Sequence, residues 1–366
     1  MIRVSSRTDP SRGTAAGVTV SSLLAGILLA SLLFAALGVN PAQALARIFS
    51  GSFGSVYGLG ETVTKAIPLM LIGAGLAVAL RGKLWNIGAE GQLLAGAVCA
   101  TAVALRLKDS LPAPLMIPLL FAAGAAGGAL CGALSGWLKT RWNVNEVIST
   151  LMLNYILAEL VQFLVYGPWK GTTQFGFPYT DNFAVSATLP CLGPTRIHWP
   201  TLLAALLACA ASAFLLFRTR FGFETRACGG NPEAARYAGL APDRTAVLLM
   251  AFSGALAGMA GVGEVAGIHK HLSYPWAISS GYGYTAILAA WIAAAHPLLV
   301  IPSSLLLGGI LVGGDAIQTS MGLPGSAISV FNGILLLAMA GGEFFLRYRV
   351  SMPLFKVRRL SKKAAC

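Results

Sequence analysis

Gly82-Lys83-Leu84-Trp85-Asn86-Ile87-Gly88-Ala89-Glu90-Gly91-Gln92 sets a lysine, an asparagine, a carboxylate and a glutamine at the start of an apolar segment long enough to enter a bilayer. Read as helix, the stretch puts Lys83, Asn86 and Glu90 at i, i+3 and i+7, on one face. An ionisable group in hydrocarbon costs several kcal/mol unless it is paired or wet. A chain that keeps one there is either tying helices together or handling a polar substrate.

The surroundings of this stretch are apolar from end to end. The chain of 366 residues is 56% hydrophobic and 11% charged, with a mean hydropathy of +0.73. Soluble proteins carry about 25% charged residues. Apolar runs near bilayer length recur at 17–39, 62–80, 86–105, 113–138, 147–166, 200–217, 244–263, 281–296, 298–318 and 326–346. With the N-terminus inside, 19 of the 26 Lys and Arg fall in inside segments, the asymmetry that the positive-inside rule predicts. The sequence therefore predicts an all-α, polytopic integral membrane protein of about ten transmembrane helices, N-in and C-in, with residues 1–366 as one transmembrane domain. The formal charge of +13 reads as topology plus anionic lipid headgroups, with no nucleic-acid partner. Arg3, Arg7 and Arg12 ahead of an apolar stretch resemble a signal peptide. Val18–Val39 exceeds the usual cleaved core, however, and is taken as a retained first span. Cys99, Cys131, Cys191, Cys209, Cys228 and Cys366 show no paired or metal spacing and read as small apolar fillers. His269 and His271 read as interfacial polarity, and no metal site is expected.

Two hydrophilic segments interrupt the runs. The outside segment 167–199 carries Trp169, Phe175, Phe177, Tyr179 and Trp199, either an interfacial aromatic belt or a docking surface. The inside segment 218–244 is longer than a connector needs. Asn231-Pro232 is a helix start and Gly239 a stop, so a short helix held below the membrane is expected. Runs two to five and seven to ten pair at an offset of about 180–195 residues, with Gly-rich stretches at Gly124–Gly136 and Gly254–Gly263, a pattern that suggests an inverted repeat. Their four-residue glycine spacing means close helix packing.

Acids and amides also sit inside the runs. Glu146, Thr150 and Asn154 share one side of the fifth, with Tyr155, Glu159 and Gln162 on the other, so that helix is expected inside the bundle. Glu264 follows Gly261-Val262-Gly263 and Asp315 follows Gly313-Gly314, where glycine permits a helix break. Each acid reads either as an interhelical partner or as lining of a path. No Gly-x-x-x-x-Gly-Lys-[Ser/Thr] loop and no nucleophile–base pair is present, so no ATPase or other enzymatic site is expected here. Transport would then be driven by an ion gradient or by a separate ATPase.

Gly82–Gln92, Asn145–Tyr155, Gly230–Gly239 and Phe252–Gly258 together resemble the permease subunit of bacterial nucleoside/simple-sugar ABC importers in the branched-chain amino acid/ribose permease superfamily. The resemblance runs from about residue 60 to 340, in the family's order. It implies that Asn231, Pro232, Glu233, Ala234, Ala235, Arg236 and Gly239 form the coupling element, docking on a cytoplasmic ATPase subunit that binds the ATP. It further implies no cofactor on this chain, a second permease subunit (the same or different), an extracytoplasmic substrate-binding protein, and the cytoplasmic (inner) membrane as location. The branch with Trp85–Gln92 is associated with purine nucleosides. On that reading Asn86, Glu90, Gln92, Asn154 and Tyr155 are expected along the substrate path, and Tyr282 and Tyr284 stacking on a base or sugar. A ribose-type sugar permease is one alternative. An ion-coupled carrier using Glu90, Glu146 or Asp315 is another, and a structural membrane subunit a third.

Overall fold

The computed structural model describes residues 3–6, 12–108, 110–172 and 176–351. Arg7, Phe175, Cys366 and the basic residues beyond Ser351 lie outside the described residues. Helices come in the order α1 (Arg12–Ala36), α2 (Pro41–Phe53), α3 (Val56–Arg81), α4 (Ala89–Arg106), α5 (Ala113–Trp142) and α6 (Glu146–Tyr166). After a short 3-10 turn at Val185–Ala187 follow α7 (Trp199–Arg218), α8 (Arg220–Gly230), α9 (Pro232–Tyr237) and α10 (Pro242–Val262). A π-helical turn, Gly263–His269, extends α10; then come α11 (Pro275–Ser279), α12 (Tyr282–Ile292), α13 (Val300–Met321) and α14 (Gly325–Arg347). One antiparallel ladder, β1 (Arg3–Ser6) with β2 (Tyr348–Ser351), is the only sheet among the described residues.

The apolar runs are largely helical, yet among the described residues six helices are long and apolar enough to span: α3, α5, α6, α7, α10 with its π turn, and α13. A seventh arises if Val20–Ala36 and Pro41–Phe53 count as one broken span. The expectation of about ten therefore exceeds what these helices show singly, for identifiable reasons. α4 has 18 residues and carries Glu90 and Gln92 at its start and Arg106 at its end, which dilute its hydropathy. α12 has 11 residues, about 16 Å at the helical rise, roughly half a bilayer core. The left-handed pair Ser280 and Gly281 breaks the chain before it, and left-handed Ala294 and Ala295 end it.

The chain divides into two packed units, Met1–Pro41 with Ser329–Cys366, and Ala42–Ile328. In the first, Gly26 of α1 lies against Leu335 and Ala338 of α14, and the Phe34 and Phe331 rings meet with centroids 5.5 Å apart. In the second, α3 is the central helix: 83% of its apolar window is buried, against 33% for α5, α6 and α7. The two glycine stripes prove to be the two halves of one interface. A methyl at Gly128 would overlap the Gly254 carbonyl, one at Gly258 the Gly124 carbonyl, and one at Gly132 the Met250 carbonyl. Backbone contact of this kind holds helices together where the hydrophobic effect between them is weak.

Glycine before an acid has two outcomes. At Glu264 the helix does leave α-geometry, in the π turn. At Asp315 it does not: α13 runs through, because Gly313 gives Ile48 of α2 room to approach rather than breaking the helix.

Candidate functional site

Residues 82–88 are not helical, so Lys83, Asn86 and Glu90 do not share a helix face as the spacing suggested. Lys83 takes a left-handed conformation, φ 56°, and turns the chain sharply between α3 and α4. Asn86 then replaces the missing helical bonds. Its Oδ1 accepts from the Gly88 amide at 3.1 Å and from Gln92 Nε2 at 3.0 Å. Its Nδ2 donates to Gln92 Oε1 at 2.7 Å and to Ser253 Oγ on α10 at 3.0 Å. The two amides thus bond reciprocally and are buried. Buried amides left unpaired would cost roughly 1–3 kcal/mol each.

Glu90 is buried as well, and its carboxylate reaches across to the start of α12. Oε1 accepts from the Gly281 amide at 3.1 Å, and Oε2 from the Gly283 amide at 2.6 Å. A carboxylate at a helix N-terminus satisfies free amides and complements the helix dipole. Asn154, from α6, completes the group: its Oδ1 accepts from the Gly91 amide at 2.8 Å. Its Nδ2 donates to the Ile87 carbonyl at 2.9 Å and to the Tyr284 hydroxyl at 3.3 Å. α4, α6, α10 and α12 are therefore tied at one level by four polar side chains.

Beside this knot lies a narrow hollow of about 10 Å³, room for roughly one water, lined by Glu90, Leu94, Asn154, Tyr155, Ala158, Pro275, Trp276, Ser279 and Tyr284. Four of the seven expected path residues line it. Asn86 and Gln92 stand behind the wall, satisfied by each other, and Tyr282 is buried. Trp276 and Ser279 were not anticipated, although Pro275-Trp276 ahead of Ser280-Gly281 signals a broken segment with an aromatic at the break.

The second polar side of α6 does not lie inside this chain. Tyr155 and Glu159 are exposed, and Gln162 Nε2 donates to Glu159 Oε1 at 3.2 Å. The helix is two-sided because one side serves the knot and the other faces away from the chain. Three further acids are paired: Glu146 with Lys139 at 2.6 Å, Asp315 with Lys65 at 2.7 Å, and Glu61 with Arg196 at 3.4 Å.

At another level, α8 and α9 form the element read from Asn231-Pro232. Asn231 Oδ1 accepts from the Glu233 and Ala234 amides at 3.0 and 3.2 Å, capping α9, and Gly239 follows at φ 79°. Ala235 is buried and anchors the helix, while Glu233, Ala234, Arg236 and Tyr237 are exposed. Tyr237 is 94% exposed. Arg236 Nη2 donates to both Asp243 carboxylate oxygens, at 2.9 and 3.2 Å. Next to α9 opens a cleft of about 580 Å³ whose lining includes Lys83, Lys139, Gly229, Arg236 and Asp243. Among the described residues no group of three or more His, Cys, Asp or Glu could hold a metal ion.

Residues 58–340 match the family described as branched-chain amino acid transport system, permease component. The chain belongs to that family. It is 34% identical over 358 residues to the glucose ABC transporter permease protein TsgB13 of Haloferax volcanii, covering 94% of this chain and 93% of that one. It is 30% identical over 354 residues to the guanosine ABC transporter permease protein NupP of Bacillus subtilis, covering 95% and 97%. It is likewise 30% identical over 334 residues to the nucleoside ABC transporter permease protein NupB of Lactococcus lactis, covering 88% and 90%. The molecule is a multi-pass membrane protein and the permease of an ABC importer.

Proposed function

We propose that this permease moves nucleosides or related purines across the bacterial cytoplasmic membrane, using ATP hydrolysed on a separate subunit. The observation that carries the reading is the chemistry of the lining at the α11–α12 break, a hollow that must widen to admit a ligand. Three aromatic side chains, Tyr155, Trp276 and Tyr284, border the polar wall made by Glu90 and Asn154. A base presents a flat face and polar edges, and stacking contributes about 1–3 kcal/mol, enough to guide a ligand without trapping it. Relatives named for guanosine and for nucleosides support the same choice. A simple sugar is the second reading, favoured by the relative named for glucose; sugars also lie flat on aromatic rings.

The exposed helix α9, with Glu233, Ala234, Arg236 and Tyr237 outward, supports its role as the coupling element for the ATPase. It belongs to a cytoplasmic loop 218–244, and 167–199 is the extracytoplasmic face that receives a substrate-binding protein. Ten passes with both termini inside follow if α4, α12, α1 and α14 cross together with the six longer helices, as two inverted halves. The outward polar side of α6, Tyr155, Glu159 and Gln162, would be costly against lipid. It fits a second permease subunit, which closes the path. The chain itself carries no cofactor and no catalysis. An ion-coupled mechanism finds Glu90, Glu146 and Asp315 each committed to a local partner.

The test is uptake of labelled guanosine, adenosine, xanthine, ribose and glucose by the permease reconstituted with its ATPase. ATP-dependent uptake of the purines is expected. Uptake without ATP overturns the importer reading, and uptake of sugars alone overturns the nucleoside assignment.

A further inference from the structure

α12 is held at both ends by side chains from one corner of the chain. At its N-terminus the Glu90 carboxylate accepts from the Gly281 and Gly283 amides. At its C-terminus the Arg81 guanidinium donates from Nε to the Ala295 carbonyl at 3.0 Å and from Nη2 to the Ala294 carbonyl at 3.1 Å. The anion meets the positive end of the helix dipole and the cation its negative end. Arg81 closes α3 and Glu90 opens α4, so both clamps belong to the turn 82–88. A third contact joins the same pieces: the Trp85 and Trp291 rings meet edge to face, centroids 5.5 Å apart.

The turn is in contact with the coupling element too. A methyl added at Gly229, near the end of α8, would lie 2.5 Å from the Arg81 carbonyl and 3.1 Å from Gly82. One at Gly82 would lie 2.5 Å from Leu249 and 3.6 Å from Thr225 of α8. α8 passes directly into Asn231 and the exposed α9. At the far end of α12, Tyr284 stands in the hollow, bonded to Asn154.

We propose that α12 is a transmission strut: α8 pushes on the Arg81–Gly82 backbone, and Arg81 and Glu90 carry that displacement along α12 to Tyr284. The inference rests on the permease reading and deepens it, naming Arg81, Glu90 and Gly229 as positioning residues between ATPase and substrate. A rigid, doubly clamped helix of about 16 Å moves as a body, whereas a frayed one would absorb the stroke locally.

Two measurements on the complex purified with its ATPase in lipid nanodiscs and proteoliposomes decide it. Hydrogen exchange of 281–295 reads the clamp; guanosine or ribose taken up per ATP hydrolysed reads transmission. Arg81→Gln is expected to speed exchange in the last turn of α12 and to lower uptake per ATP about tenfold while hydrolysis continues. Arg81→Lys, which keeps the charge but cannot bond both carbonyls in the same fork, should fall between. Gly229→Ala, whose methyl must displace the Arg81 carbonyl, should lower uptake per ATP while hydrolysis continues. Unchanged exchange in Arg81→Gln overturns the clamp, and unchanged uptake per ATP in Gly229→Ala overturns the transmission. If wild type shows no ATP-dependent uptake, the permease reading fails; exchange at 281–295 then still judges the clamp, and its failure to respond to ATPase docking overturns the strut.

Discussion

Two buried polar regions of the larger unit solve the same problem in opposite ways. Around the turn 82–88, Asn86, Glu90, Gln92 and Asn154 are all buried and all hydrogen-bonded, mostly to backbone groups that a helix break would otherwise orphan. Around the π turn 263–269, His198 and Thr201 are fully buried, yet neither His198 nitrogen nor Thr201 Oγ1 finds a hydrogen-bond partner among the described residues. Gly263 and Gly267 lie close against the His198 ring, and Glu264 is buried in the same turn. A satisfied network specifies one geometry, while an unsatisfied one stores a cost of about 1–3 kcal/mol per group. The first region is therefore expected to behave as fixed framework and the second as the softer part of the same bundle.

The largest effect that would break this contrast is at Asn154. Asn154→Leu strands the Gly91 amide and the Ile87 carbonyl and frees the Tyr284 hydroxyl. A loss of about 4 kcal/mol is expected from the lost bonds, read as the unfolding midpoint in detergent, with uptake abolished. A loss below about 1 kcal/mol would mean that the knot is not the framework.

Acid tests the other region. Burial pushes the His198 imidazole down from 6.5 to about 4, with Arg196 acting in the same direction. Its unfolded form therefore binds more protons between those values, so stability rises with pH there. It is complete above about pH 6.5 and lost as the pH falls towards 4, by about 3 kcal/mol at most. His271 is lowered by burial also and adds with the same sign. Unfolding midpoints measured from pH 7.5 to 4 should trace this fall.

A smaller effect is expected within the knot at Gln92. Its amide bonds only to Asn86, which keeps Ser253 and the Gly88 amide as partners. Gln92→Met should cost about 1–2 kcal/mol in the same unfolding assay, well below Asn154→Leu. Equal costs would show that the knot acts as one unit rather than as separable bonds.

The sequence exposed the framework better than the soft region, because the framework is local. Asn86, Glu90 and Gln92 sit within one turn of a Gly-punctuated segment, and Asn231-Pro232 ahead of Gly239 marks α9 without tertiary information. The errors came where tertiary contacts decide. Period 3.6 placed Lys83, Asn86 and Glu90 on one face, but the left-handed Lys83 removes the helix on which that spacing depends. Counting apolar residues made 281–296 one continuous run, whereas the helix between Ser280-Gly281 and the turn at Ala294–Ala295 has 11 residues. Arg81 read only as an inside charge, since nothing near it in sequence announces the α12 carbonyls. His198 was passed over because its burial depends on two glycines more than sixty residues away.

The smallest expected effect is also the most discriminating. His198→Phe keeps a flat ring against Gly263 and Gly267 and removes two nitrogens that have no partner among the described residues. Replacing an unsatisfied polar ring by an apolar one of similar shape should leave stability at pH 7.5 unchanged or raise it by up to about 1 kcal/mol. The same substitution should flatten the fall in unfolding midpoint between pH 6.5 and 4, leaving the part due to other groups such as His271. Both results together mean that the region around the π turn carries an uncompensated polar cost, unlike the knot at Asn86 and Asn154. A loss of about 2 kcal/mol at neutral pH would instead show that the imidazole makes bonds as strong as those of the framework. The two regions would then differ in place but not in kind, and the pH dependence would have to come from elsewhere.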